Sequence, residues 1–78
     1  MDWRQWIERR PGVLAGKPVF KGTRLSVEFV LERLSDGSTE ADMLNAYPTL
    51  RPEHIRAALA CAAVAVHASP TLVDAATG

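Results

Sequence analysis

The sequence predicts a mainly helical domain, with a small N-terminal β element followed by three helices. Three observations carry that expectation. Val13 to Val27 is rich in β-branched residues and broken by Gly16, Pro18 and Gly22, a composition that suits short strands and tight turns. After Leu25 the apolar residues move from alternate positions to a period of about 3.6. The helical stretches are separated by two short connections, one with Gly37 and one with Pro48. Compact helices joined this closely make helix-turn-helix units.

The 78 residues are read as a single domain, 1–78. Residues 1–12 form an N-terminal arm that is hard to assign. Asp2 is a suitable cap for a short helix with Trp3, Trp6, Ile7 and Arg10 on one face. Arg10-Pro11-Gly12 stops any helix there. Residues 13–25 form the short β element. Pro18 lacks an amide donor and belongs at a strand edge or start. Lys21-Gly22 is a turn site, because glycine accepts positive φ.

Residues 26–68 hold the three helices, in a helix-turn-helix-like (homeodomain-like) order. Ser26 caps the first, whose stripe is Val27, Val30, Leu31 and Leu34, and Gly37 closes it. Ser38 or Thr39 caps the second, with Ala41, Leu44 and Tyr47 as its apolar side and Pro48 as its stop. Pro52 opens the third, which carries Ile55, Ala58, Leu59, Ala62 and Val66 inward and Glu53, Arg56, Ala57, Ala60 and Cys61 outward. Residues 69–78 lack periodicity and are expected to fray.

The formal net charge is zero, with nine basic and nine acidic residues. That balance argues against a protein that merely coats nucleic acid. The charge is nonetheless polarised. Residues 1–24 hold six basic side chains (Arg4, Arg9, Arg10, Lys17, Lys21, Arg24) against Asp2 and Glu8. Residues 25–50 hold Arg33 against five acids (Glu28, Glu32, Asp36, Glu40, Asp42). Either the basic arm folds back on its own acidic helices or it serves a charged partner. One cysteine excludes an internal disulfide. With no secretory signal and no apolar run of about 20 residues, a cytoplasmic protein with no membrane segment is expected.

Catalysis finds little support. His54 and His67 point in different directions on one helix, and no carboxylate is spaced to orient either. No metal-ligand spacing is present, and no cofactor is expected. Cys61 lies among alanines with no base beside it. Gly16 to Thr23 has the wrong order for a phosphate-binding loop, since Lys21 precedes Gly22 and Pro18 removes an amide. Binding is the better reading. Trp3 and Trp6 suit a protein interface, because tryptophan is enriched at binding hot spots; the alternative is that both cap the small core. Arg9, Arg10, Lys17, Lys21, Arg24, Arg51 and Arg56 are the candidates for phosphate contacts if nucleic acid is bound.

The segment Leu14-Ala15-Gly16-Lys17-Pro18-Val19-Phe20-Lys21-Gly22-Thr23-Arg24-Leu25-Ser26-Val27 resembles the Domain of Unknown Function 433 family, whose hallmark is G-K-P, a hydrophobic position, then G-T-R. The similarity continues through Leu34 to Ser38, Tyr47 to Leu50 and Ile55 to Leu59, and spans about residues 6–66. Arg10-Pro11, Arg51 and Cys61-Ala62 depart locally from the pattern. The resemblance implies a helix-turn-helix type domain and a VapB-like antitoxin that neutralises a PIN-like nuclease toxin, with repression of its own operon through operator DNA as an accompanying role. Gly16, Pro18 and Gly22 then shape the motif's turns, Thr23 belongs to the motif, and Arg24 reaches a carboxylate or partner. A dimeric DNA-binding regulator without a toxin partner is the alternative. A homodimer is expected in either case, because a chain this short buries only about 60% of its unfolded surface.

Overall fold

The computed structural model describes residues 1–69. It holds three helices, α1 (Val27–Ser35), α2 (Glu40–Ala46) and α3 (Pro52–His67), and two strands, β1 (Ile7–Arg9) and β2 (Pro18–Phe20). The domain is mainly helical, as expected. The tail expected to fray, 69–78, lies outside the described residues except for Ser69.

The N-terminal arm is where the expectation and the structure differ. Residues 7–9 are not an arm but β1, paired antiparallel with β2 in the register Ile7 to Phe20, Glu8 to Val19 and Arg9 to Pro18. A three-residue strand carries too little alternation to announce itself, and its partner lies across a loop. The helix expected before it shrinks to one 3-10 turn, Trp3–Gln5. Asp2 caps that turn by accepting from the Arg4 amide at 3.2 Å. Pro18 starts its strand, where a missing amide does no harm. Val19 bridges to Ser26, so the chain returns on β2 before entering α1.

The helix ends follow local chemistry. The Ser26 hydroxyl accepts from the Phe29 amide at 3.0 Å, and Gly37 takes φ +102° after α1. Thr39 rather than Ser38 caps α2. Its hydroxyl accepts from the Asp42 amide at 3.0 Å, and the Asp42 carboxylate accepts from the Thr39 amide at 2.9 Å. Those hydrogen bonds hold the Asp42 carboxyl below its ordinary pKa.

One core forms where the β pair meets the helices. It gathers Ile7, Phe20, Val27, Val30, Met43, Leu50, Ile55, Ala57 and Ala58. The stripe expected on α1 holds, with Val27 and Val30 buried and Leu31 and Leu34 packed at the edge. Two faces are corrected. On α2 the buried residue is Met43, and Ala41 is exposed. On α3 the inner face is His54, Ile55, Ala57 and Ala58. Ala57, expected outside, is fully buried, while Leu59 and Val66, expected inside, are 53% and 44% exposed. An alanine gives no signal of its own, and α3 from Ala57 to Val66 has no polar residue to mark its outer side.

Leu14 and Ala15, in the β1–β2 connection, both sit at positive φ, +48° and +55°. That region costs a side-chain-bearing residue about 1–2 kcal/mol. Ala15→Gly is therefore expected to raise the denaturant midpoint. The gain should be about 0.5 kcal/mol, once the extra freedom glycine gives the unfolded chain is subtracted.

Candidate functional site

The motif from Lys21 to Arg24 forms a tight, self-locked turn. Gly22 supplies φ +79°, a conformation glycine takes without strain. Thr23 is buried, and its hydroxyl donates to the Phe20 carbonyl at 2.9 Å while accepting from the Leu25 amide at 3.1 Å. The Lys21 amide donates to the Trp6 carbonyl at 2.8 Å, tying the turn to the N-terminal segment. The Arg10 guanidinium donates to the Thr23 carbonyl at 2.6 Å and pairs with Glu8 at 3.3 Å. With Thr23 fixed inward, the next residue, Arg24, is thrown into solvent and makes no ion pair among the described residues.

A second wall comes from the α2–α3 connection. The Leu50 side chain is buried and its amide donates to the Tyr47 carbonyl at 2.9 Å, which leaves Pro48 and Thr49 exposed at the rim. His54, three residues into α3, braces this loop. Its Nδ1 accepts from the Arg51 amide at 2.9 Å. That is the place where a glutamate or glutamine usually closes a capping box. The ring is 5% exposed and stands edge-on to Trp6 at 5.4 Å and to Phe20 at 5.3 Å. Burial lowers the His54 pKa below the ordinary 6.5, and the nearby Arg51 charge adds to that.

Between the two walls runs a polar cleft of about 500 Å³ lined by Gln5, Trp6, Lys21, Gly22, Thr23, Pro48, Thr49, Arg51 and His54. It continues past Gly22, Thr23 and Thr49 into a second recess of about 440 Å³ bordered by Arg10, Val13 and Arg24. Trp6, Arg10, Lys21, Arg24 and Arg51 thus gather at one place from four separate segments. The fold does not bring the remaining candidates there. Trp3 is half-buried against the core, with the Arg4 guanidinium 4.5 Å above its ring. Lys17 pairs with Glu28 at 3.2 Å, so one basic residue of the N-terminal third does fold onto an acidic helix. Arg9 and Arg56 are exposed away from the cleft. Gly16 and Pro18 shape the approach to β2 and do not line it.

Thr49 and His54 were not anticipated as site residues. For His54 the available signal was its place three residues after the Arg51-Pro52 helix start. Thr49 carried no signal of its own. Among the described residues no three His, Cys, Asp or Glu side chains converge as metal ligands. No helix among them is long and apolar enough to cross a membrane.

Residues 7–62, from β1 through the motif turn and the loop to the middle of α3, match the family described as protein of unknown function, DUF433. The chain belongs to the DUF433 family. A DUF433 member protein from Anabaena variabilis, known from its crystal structure, superposes on it with a TM-score of 0.67 at 26% identity. That superposition covers 87% of this chain and 63% of the other. The uncharacterized protein y4eO of Sinorhizobium fredii is 38% identical over 55 residues, which are 70% of this chain but 25% of that protein. The DUF433 chain described here therefore spans about a quarter of the curated relative. The matched region contains both walls of the cleft.

Proposed function

We propose that this DUF433 chain is a non-catalytic binding protein of the antitoxin type, which neutralises a PIN-like ribonuclease by presenting the basic rim of its motif cleft to the partner's carboxylates. The observation that supports this reading is the convergence of Lys21, Arg24 and Arg51, all free of ion pairs among the described residues, around a cleft floored by Trp6. Most of the acids among the described residues lie elsewhere, on α1, at its end and on α2, where Glu28 and Asp36 are already paired, and Glu8 at the edge of the recess is held by Arg10. An arginine beside a half-buried tryptophan is the composition of a binding hot spot. The self-locked turn fixes the backbone from which Arg24 departs, so no loop ordering is lost on binding. This reading places the protein in the cytoplasm and includes its self-association as a homodimer.

Co-expression with the product of the adjacent gene, expected to be a PIN-like ribonuclease, tests the proposal. The two proteins are expected to co-purify and the chain to restore growth. Arg24→Ala, at an exposed position, is expected to weaken the complex at least tenfold, about 1.4 kcal/mol. Failure to co-purify together with failure to restore growth would sink it. The same basic rim also suits phosphates, which favours operator binding as the second reading. Its signature is affinity for promoter DNA that falls steeply with salt and weakens in Arg24→Ala and Arg51→Ala.

A further inference from the structure

We propose that the pocket formed by Leu14, Leu25 and Phe29 beside Arg24 is a docking site for a short protein segment in which an aliphatic side chain neighbours an aspartate or glutamate. Leu14 sits at φ +48°, where a leucine is an outlier, and it is 47% exposed. Glycine would incur neither cost, and strain of this kind gathers at binding sites. Its backbone is nonetheless held, because the Lys17 amide donates to the Leu14 carbonyl at 3.1 Å and the Gly16 amide to the Val13 carbonyl at 3.0 Å. Leu14 forms one wall of a recess of about 270 Å³ that Leu25, Phe29, Ser26 and Arg24 complete. The Leu25 amide donates to the Thr23 hydroxyl at 3.1 Å, and its carbonyl accepts from the Phe20 amide at 3.1 Å. The Phe29 ring stands edge-on to Tyr47 at 5.5 Å, with the Arg33 guanidinium 5.6 Å from its centre. The walls are therefore in place before anything binds, which lowers the cost of binding.

Size and charge select the occupant. The volume is below the roughly 300–1,000 Å³ of small-molecule sites and suits a single aliphatic side chain. Arg24 also borders the polar recess that continues the motif cleft, so one residue stands between an apolar pocket and a polar one. It has no ion pair among the described residues. Glu28, the next acid along the chain, lines a separate groove with Pro18 and is held by Lys17 at 3.2 Å. Charge complementarity therefore calls for a carboxylate from outside. A carboxylate that reaches Arg24 brings the side chain next to it within range of Leu14, Leu25 and Phe29. A nucleic acid offers Arg24 a phosphate but no aliphatic side chain for the pocket. This site rests on the nuclease-binding reading of Arg24 and specifies the segment the partner presents there.

The probe is the capped dipeptide acetyl-Leu-Asp-amide, titrated into the isotope-labelled full chain and followed through its amide resonances. Saturable shifts at Leu14, Arg24, Leu25 and Phe29 are expected, with a dissociation constant of about 1–10 mM, in keeping with so small a ligand. Acetyl-Leu-Asn-amide, which lacks the charge, should bind about threefold more weakly. Acetyl-Gly-Asp-amide, which lacks the aliphatic group, should bind about fivefold more weakly. Leu14→Gly is expected to weaken the probe about fivefold and to leave the urea midpoint no lower than in wild type, because glycine accepts the positive φ. A purely structural role for Leu14 would lower the midpoint instead. Leu14→Asn, which also tolerates that region, decides the matter should Leu14→Gly lose its fold. No saturable shift up to about 50 mM probe overturns the proposal. So does equal affinity for the uncharged or the glycine probe, or a constant that does not move in Leu14→Gly. The titration contains no ribonuclease, so probe binding without co-purification counts against the antitoxin reading alone.

Discussion

Phe20→Ala is expected to cost about 3–5 kcal/mol and to leave little folded protein at 37 °C. The whole domain has only about 4–12 kcal/mol to lose, at the usual stability per residue. Phe20 is fully buried and is one of the three largest side chains with no exposure. It pairs with Ile7 across the strands, and its ring meets the edge of His54. Its amide donates to the Leu25 carbonyl at 3.1 Å. Truncation leaves a void that neither a two-stranded sheet nor a helix start can close. The check is equilibrium urea unfolding. Leu59→Ala provides the contrast: on dilute protein it should stay within about 0.5 kcal/mol, as surface changes do. A Phe20→Ala loss below about 1 kcal/mol would mean that the β pair is not part of the core.

Phe20 and Leu59 also show which parts of the fold were legible in the sequence. Phe20 lies between glycine and proline punctuation, so its strand was readable from neighbouring residues. Local devices were read the same way: Ser26 as a cap, Gly37 as a stop, Pro52 as a start. Leu59 was placed inward because its spacing from Ile55 is helical. That spacing was ambiguous, since Ala57 to Val66 offers apolar residues on every face, and only the position of α1 and the β pair decides which is buried. β1 was missed for a related reason. Three residues do not define a period, and the pairing of Ile7 with Phe20 is a long-range contact with no local mark.

The candidate site divides along the same line. Gly22, Thr23 and Arg24 stood out because one turn in one segment holds them. Thr49 and His54 complete the cleft from a distant loop. That they face Lys21 depends on the packing of α3 against β1 and the 3-10 turn. The basic residues were collected as candidates from charge alone, and the fold brings Arg10, Lys21, Arg24 and Arg51 to the cleft while leaving Arg9, Lys17 and Arg56 elsewhere. Charge did not separate Lys17, which is held by Glu28, from Lys21, which is free to line the cleft.

Acidification is the second large effect expected, and it acts through His54. In the folded chain Nδ1 is an acceptor for the Arg51 amide, so the ring must be neutral there. A protonated imidazole donates from both nitrogens. It would set an N–H against the Arg51 N–H inside a buried aromatic cage, next to the Arg51 charge. The folded state thus holds the His54 pKa below its ordinary 6.5. The sign follows by linkage: as pH falls below 6.5 the unfolded chain takes up a proton that the folded chain resists, so stability is full above that value and declines below it. Urea midpoints measured across pH 5–8 should show this decline. The imidazole signal of His54 in the folded protein should titrate below the ordinary 6.5. His54→Ala should cost about 2–4 kcal/mol at neutral pH, from the stranded amide and the lost ring packing, and should flatten the decline. Because Arg51, Trp6 and the Lys21 turn all rest on this ring, partner binding at the cleft should weaken in the same pH range. A stability profile in wild type that matches His54→Ala would show that the ring does not titrate against the fold.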